Sequence, residues 1–269
     1  MNLDLATTFV LGAQDPEMRE IERIVQDAGL VCLHAASDGR RCTPQVAYEA
    51  DGVVRLGSDG MARQAVLRPT VPAVWVECRI AGREPLLRVD HHHPGDPGYT
   101  AAPEDYLIGS SLGQVLALLD REPTETQRLL AASDHCLTAA YQGRCPGVDP
   151  HELLFLRASW KAHITQRTLT DVMAGILDAA GRVRRHLDTA CGESRFLDPT
   201  RVPAELAEGA AYAGVPVRYR AMMPDGQIKE MFKGGTPEAI EAFLAEHRAA
   251  GREVYGNPHR GYGGAYWPV

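Results

Sequence analysis

Along the first ninety residues, short apolar runs alternate with a helical period. Thr8-Phe9-Val10-Leu11 is a run of strand length, broken by Gly12-Ala13-Gln14-Asp15-Pro16. Met18, Ile21, Ile24 and Val25 then recur at the spacing of one buried helix face. Asp15 is placed to cap that helix, Pro16 to occupy its first position and Gly29 to stop it. Leu30-Val31-Cys32-Leu33 predicts a second strand, ending at His34. Ala73-Val74-Trp75-Val76 predicts another ending at Glu77, and Pro85-Leu86-Leu87-Arg88-Val89 one ending at Asp90. Val53-Val54 and Ala65-Val66-Leu67 predict short strands or a hairpin in the connection between them. Unbroken apolar strands with a helix between the first two predict an α/β domain with a mainly parallel sheet flanked by helices. In such sheets ligands gather beyond the carboxyl ends of the strands, and here those ends are polar: Asp15, His34, Glu77 and Asp90.

Past Pro103 the pattern turns helical. Apolar helices are predicted over 111–119 and 125–141, the second carrying Ser133-Asp134-His135, and one or two long helices over 151–190. Residues 192–202 have a linker's composition. Val217-Arg218-Tyr219-Arg220-Ala221-Met222 alternates, Pro224-Asp225-Gly226 turns and 227–232 returns, which predicts a hairpin. Thr236 and Pro237 open a helix that runs to Ala250 and stops at Gly251. A glycine-rich polar loop is expected over Gly256-Asn257-Pro258-His259-Arg260-Gly261-Tyr262-Gly263-Gly264. The expected organisation is two α/β domains, a larger one over 1–191 and a smaller one over 203–269, joined by 192–202.

Composition narrows the classes. A chain of 269 residues with 45% hydrophobic and 23% charged positions is an ordinary globular one. Its size supplies a core without disulfide or metal, so a bound metal would be functional rather than structural. A net charge of −7 argues against coating long nucleic acid, though not against a small anionic substrate in a locally positive pocket. The six cysteines, at 32, 42, 78, 136, 145 and 191, form no CxxC pair, and reduced thiols in a cytoplasmic protein are expected. No apolar run approaches the ~20 residues of a membrane span, so no membrane partner is expected.

The densest chemistry is Asp90-His91-His92-His93-Pro94-Gly95-Asp96, directly after an apolar strand. Mixed carboxylate and imidazole donors suit manganese, iron or zinc. With this block the chain resembles the DHH phosphoesterase superfamily, which includes RecJ-type nucleases, nanoRNases, cyclic-dinucleotide phosphodiesterases and pyrophosphatases. Four blocks occur in the family's order. Leu11-Gly12-Ala13-Gln14-Asp15-Pro16-Glu17 fits the first motif, with Leu11 in place of a histidine and Glu17 in place of the second aspartate. Glu77 stands for the strand-ending aspartate of the second, Asp90-His91-His92 is the third, and Asp134 is the helical aspartate of the fourth. A second frame for the first motif, His34-Ala35-Ala36-Ser37-Asp38, carries Arg40 where the second aspartate would be.

The resemblance implies a phosphoesterase using one or two Mn2+ ions, with its site in the cleft between the two domains. It implies metal ligands at Asp15, Glu17, Glu77, Asp90, His91 and Asp134, and catalytic roles for Asp90 and His92. His259, Arg260, Gly263 and Gly264 would bind substrate from the smaller domain, with His34 as a further candidate. The substrate would be a small phosphate ester or a short oligonucleotide, and a homodimer is compatible with the pattern. Two alternatives stand beside it: a non-catalytic relative that binds a nucleotide or other anion, and a metal enzyme of another reaction type.

Overall fold

The structure, a computed structural model, describes residues 7–267 apart from 45, 58, 69, 224 and 225. The chain is mixed α/β and forms two compact units, one of Met1–Ala101 with Asp105–His135, the other of Ala102–Glu104 with Cys136–Val269. The division therefore falls at Cys136 and not in 192–202. Polar composition made that segment read as a linker, but Glu193–Phe196 within it is a strand of the second sheet.

In the first unit, β1 (Thr8–Leu11) leads into α1 (Pro16–Asp27), then β2 (Val31–Ser37) and the short β3 (Arg40–Arg41). β4 (Gly52–Leu56) and β5 (Ala62–Ala65) form an antiparallel hairpin, β6 (Ala73–Val76) returns beside the first strand, and β7 (Leu87–Val89) forms the opposite edge. The strand order is β5-β4-β2-β1-β6-β7, with β3 paired to β2. β2, β1, β6 and β7 run parallel, and the β4–β5 hairpin extends that core antiparallel. Every residue of β1 and β6 is buried, which is why both read as continuous apolar runs. Val10, Leu33, Ala35, Val53 and Trp75 share one core cluster. α1 starts where expected: the Asp15 carboxylate accepts from the Met18 amide at 2.7 Å, and the helix buries Met18, Ile21, Ile24 and Val25. α2 (Tyr106–Gly109), α3 (Ser111–Leu118) and α4 (Glu125–Tyr141) complete the run of helices.

The order places a topological switch at β1. The chain leaves β1 through α1 to β2 on one side and later returns to β6 on the other, the arrangement that opens a crevice at the strands' carboxyl ends. The register fixes that crevice: Leu11 pairs with Val76 and Val76 with Val89, so three strand ends stand level. Gly12 is required there, because a Cβ would meet the Glu77 carbonyl.

In the second unit α5 (Pro150–Thr165) and α6 (Leu169–Arg185) are separate helices, parted at Gln166 by a left-handed cap with φ 53°. β8 (Leu187–Asp188), β9 (Glu193–Phe196), α7 (Leu206–Ala213), β10 (Val217–Met222), β11 (Ile228–Lys233), α8 (Pro237–Ala249), β12 (Glu253–Asn257) and β13 (Tyr262–Tyr266) follow. The sheet order is β12-β13-β11-β10-β9-β8. The expected hairpin is β10–β11, with Met222 opposite Ile228; Pro224 and Asp225 of its expected turn lie outside the described residues. Val183, Leu206, Ala210 and Val217 form one core cluster, and Phe232, Ile240, Phe243 and Leu244 another. Among the described residues no helix is long and apolar enough to cross a membrane.

Ion pairs in this unit are closely matched. Arg157 holds the two oxygens of Glu208 at 2.6 Å each, and the Tyr141 hydroxyl donates to Glu208 at 2.5 Å. Burial acts to raise the Glu208 carboxyl, but the Arg157 charge and these hydrogen bonds outweigh it and hold the group below its ordinary 4.5. A depressed folded value stabilises the fold above about pH 4.5, and that contribution disappears as pH falls through the folded value. Glu208→Gln is therefore expected to cost about 2 kcal/mol at neutral pH. Urea melts from pH 7 down to 3 should show the gap between wild type and variant closing below about pH 4.5; a gap constant with pH would contradict this account.

Candidate metal centre

The level strand ends deliver three acidic or imidazole positions to one place. Glu77 follows β6, and Asp90-His91 follows β7; the Glu77 amide still donates to Val89 O at 3.0 Å, so the two ends are tied. Glu77 has φ 50°, a left-handed conformation that strands do not use and that costs a non-glycine residue of order 1–3 kcal/mol. The turn is held by that amide bond on one side and by Gly12 close on the other. Glu17 comes from the first turn of α1, where its Oε1 accepts from the Leu112 amide of α3 at 2.9 Å. Asp134 comes from α4.

One ligand atom from each of Glu17, Glu77, His91 and Asp134 lies within 4.8 Å of all the others. Glu77, His91 and His92 form an overlapping group. Glu17, Glu77 and His91 are buried, and Glu17 Oε2 and Glu77 Oε1 have no hydrogen-bond partner. These clusters could hold a divalent metal ion. Asp15 stands beside them: burial first, then the charges of Glu77 and Asp134, push its carboxyl up to about 7. Burial and the charges of Asp134, Glu77 and Asp15 likewise push Glu17 well above the usual carboxylate range. Burial and mutual repulsion thus oppose ionisation of Asp15 and Glu17, and a cation in the cluster would relieve both.

His91 gives a separate indication. His135 Nε2 lies 3.0 Å from Ala101 O, and a carbonyl only accepts, so Nε2 carries the His135 proton. In the neutral ring Nδ1 then accepts, and it lies 3.3 Å from His91 Nδ1. His91 Nδ1 is accordingly assigned as the donor, which leaves the His91 lone pair on Nε2. That atom is 3.0 Å from Asp134 Oδ2 and 3.4 Å from Glu77 Oε1. A lone pair facing two carboxylate oxygens is repulsive until a proton or a metal ion lies among them. The His135 ring is stacked on His91 at 5.5 Å, and Gly109 leaves it room, since a Cβ there would strike the imidazole.

Asp90 has a different place from the one expected. Its oxygens accept from Tyr48 Oη (3.1 Å to each), from the amides of His91 (2.7 Å) and His92 (3.1 Å), and from His92 Nδ1 at 3.0 Å. Burial opposes ionisation of Asp90, but His92 and these amides hold it below the usual range. Among the described residues it does not join the Glu17 group; its own group is with His93 and Asp96. It is an orienting carboxylate for His92.

His34 is not a strand end: β2 runs on to Ser37, and His34 is buried inside it with Nε2 3.2 Å from Glu22 Oε1, so it faces α1. With Glu22 and Cys32 it forms another group of potential ligands, where burial first, and Glu22 next, push the Cys32 thiol up to about 12. Gly263 and Gly264 are not in a loop. They lie in β13, Gly263 against Phe243 and Leu244, Gly264 against the Tyr255 ring, and their backbones pair with β11 and β12. Only the tip of that hairpin is polar: Asn257 Oδ1 accepts from the amides of His259 (2.9 Å) and Arg260 (3.2 Å), and the Arg260 guanidinium lies 5.5 Å from the Tyr262 ring centroid. Tyr48 was not found from the sequence, since it sits in a one-turn 3-10 helix with no motif around it. His135 had a signal, a histidine beside Asp134 on an apolar helix.

No family model and no curated protein matches the chain.

If like charges strain this cluster, removing one should relieve it. Glu17→Gln keeps an oxygen for Leu112 and is expected to stabilise the metal-free protein by about 1–2 kcal/mol. The same change should weaken Mn2+ binding at least about tenfold, as loss of a ligand does. Thermal melts with chelator and Mn2+ titration calorimetry measure both; a destabilised metal-free variant would contradict the cluster account.

Proposed function

We propose that the protein is a Mn2+-dependent phosphoesterase of the DHH type, acting on a small phosphate ester or a short nucleotide. The observation that carries this reading is the buried Glu17–Glu77–His91–Asp134 group at the carboxyl ends of β1, β6 and β7, with the His91 lone pair turned into it. Three carboxylates and one imidazole, with no thiolate, form a donor set that favours manganese over softer ions. A divalent ion bound there supplies Lewis acidity for attack of water on phosphorus. The remaining work falls to the chain's own groups. Tyr48 and two amides hold Asp90, and Asp90 holds His92 at Nδ1, so the ring keeps the tautomer that is basic at Nε2. Once Nε2 has taken up a proton, with Asp90 offsetting the imidazolium charge, His92 gives that proton to the leaving oxygen and returns to the neutral ring. In the second unit, Arg260 and His259 are candidates for holding a phosphate group, since a guanidinium fork matches phosphate oxygens.

One observation favours a second reading, a non-catalytic relative that binds a nucleotide or other anion. Leu11 stands where the family's first motif has a histidine, and it is fully buried in the sheet. That position offers no ligating atom.

Metal content of the purified protein, paired with hydrolysis of bis(p-nitrophenyl) phosphate with and without Mn2+, separates the two. Phosphoesterase function predicts bound metal and Mn2+-dependent turnover, reduced at least about a hundredfold in Asp90→Ala. A well-folded protein with neither metal nor turnover would overturn it.

A further inference from the structure

Arg41 is the exception among the buried ion pairs. Arg157 grips Glu208 at 2.6 Å, and Arg218 and Arg220 grip Glu230 at 2.6 and 2.8 Å. The Arg41 guanidinium is only 12% exposed, yet its approach to Glu22 is 3.9 Å, too long for a hydrogen bond. Glu22 is itself engaged by His34 at 3.2 Å. The hydrogen bond from Arg41 Nη2, to Gly12 O, is 3.5 Å long, and the buried Nε and Nη1 have no hydrogen-bond partner. Burying unmatched donors on a charged group costs at least about 1–3 kcal/mol.

The place of this group is telling. Arg41 stands opposite Ala36 across β2–β3, so it shares a face of β2 with His34 and Cys32, the face that meets Glu22 of α1. From there the guanidinium reaches Gly12, whose amide bonds Val76 O and which leads β1 towards Asp15. Asp15 attracts it, and Arg19 is near enough for its charge to oppose it. Arg41 therefore meets the strand-end crevice from the α1 side, as an under-matched cation beside an acidic, metal-ligating cluster. Such a site takes a ligand whose oxygens can face a metal ion and a guanidinium together, and a tetrahedral phosphoryl group does so.

We propose that Arg41 is the phosphate ligand of the first unit, its under-matched guanidinium donating to phosphoryl oxygens of the substrate. This rests on the phosphoesterase reading and names the residue that recognises its substrate class.

The test uses full-length protein loaded with Mn2+ and inorganic phosphate as the probe, followed by calorimetry, with nitrate as a monoanion control. Arg41→Gln is expected to weaken phosphate binding at least tenfold while Mn2+ affinity stays within twofold. Arg41→Lys, which keeps the charge and guards against a folding failure of the first variant, should fall between. Glu22→Gln should leave phosphate binding within twofold. Equal phosphate affinity in wild type and both Arg41 variants would overturn the assignment and leave the phosphoesterase reading standing. An equal loss in Glu22→Gln and Arg41→Gln would also overturn it, because Arg41 would then act only through Glu22. Wild type that binds no phosphate would overturn it too, and Mn2+-dependent turnover of the phosphodiester would then judge the phosphoesterase reading separately.

Discussion

A neutral imidazole has one donor and one acceptor, and that constraint orders the centre of the first unit. Ala101 O fixes the His135 proton on Nε2, His135 Nδ1 fixes the His91 proton on Nδ1, and the His91 lone pair is left facing Glu77 and Asp134. Each link is a contact of 3.0 to 3.4 Å and the His91 ring at their centre is fully buried, so it has little freedom to turn away. The carboxylates are there because the backbone requires it. Leu11, Val76 and Val89 stand level in the register, and the chain leaves β6 through a left-handed residue at Glu77. The fold spends local strain and like-charge repulsion at this one edge, as ligand-binding edges commonly do.

Comparison of the two units sharpens the point. In the second, each deeply placed carboxylate has matched cations: Glu208 has Arg157, and Glu230 has Arg218 and Arg220. In the first, Glu17, Glu77 and Asp15 crowd together, and burial with these charges raises the carboxyls of Asp15 and Glu17, while Arg41 lies buried nearby with unmatched donors. The chain can build tight guanidinium–carboxylate pairs and does so elsewhere. At this edge the arrangement keeps charges available for something other than one another.

How far the sequence revealed this depends on the kind of signal. β1, α1 and β6 were readable because burial on both sheet faces leaves continuous apolar runs and Asp15-Pro16 is a strong helix start. Glu17, Glu77, His91 and Asp134 were readable as a motif order. The domain boundary was not, because Cys136, where the backbone leaves helical geometry (φ −150°, ψ 54°), lies inside an unbroken helical period. The segment 192–202 misled because β9 is short and its two buried positions, Glu193 and Ser194, are polar. Gly263 and Gly264 misled because glycine marks both a loop and a strand that must admit a neighbouring ring, and Tyr255 is that ring. Tyr48, which donates to Asp90, went unread because it arrives from a one-turn 3-10 helix, Ala47–Glu49, forty-two residues away in the chain, that no local pattern foretells.

The glutamates at 17 and 77 now have a physical reading. A side chain at the second position of α1 that must reach the Leu112 amide and still present an oxygen to the cluster needs length; Glu17 does both, with Oε1 on Leu112 and Oε2 unmatched. An aspartate there would be one methylene shorter. Glu77 emerges from a left-handed turn rather than from an extended strand end, so its side chain starts from a displaced backbone, and the extra methylene restores reach. Each departure thus goes with a local geometry that makes the longer carboxylate the working choice. Leu11 is of another kind: fully buried and level with His34 and Val76 in the sheet, it contributes packing and no ligand. A site built on this chain draws no imidazole from that position, and His91 with the carboxylates of Glu17, Glu77 and Asp134 must complete it.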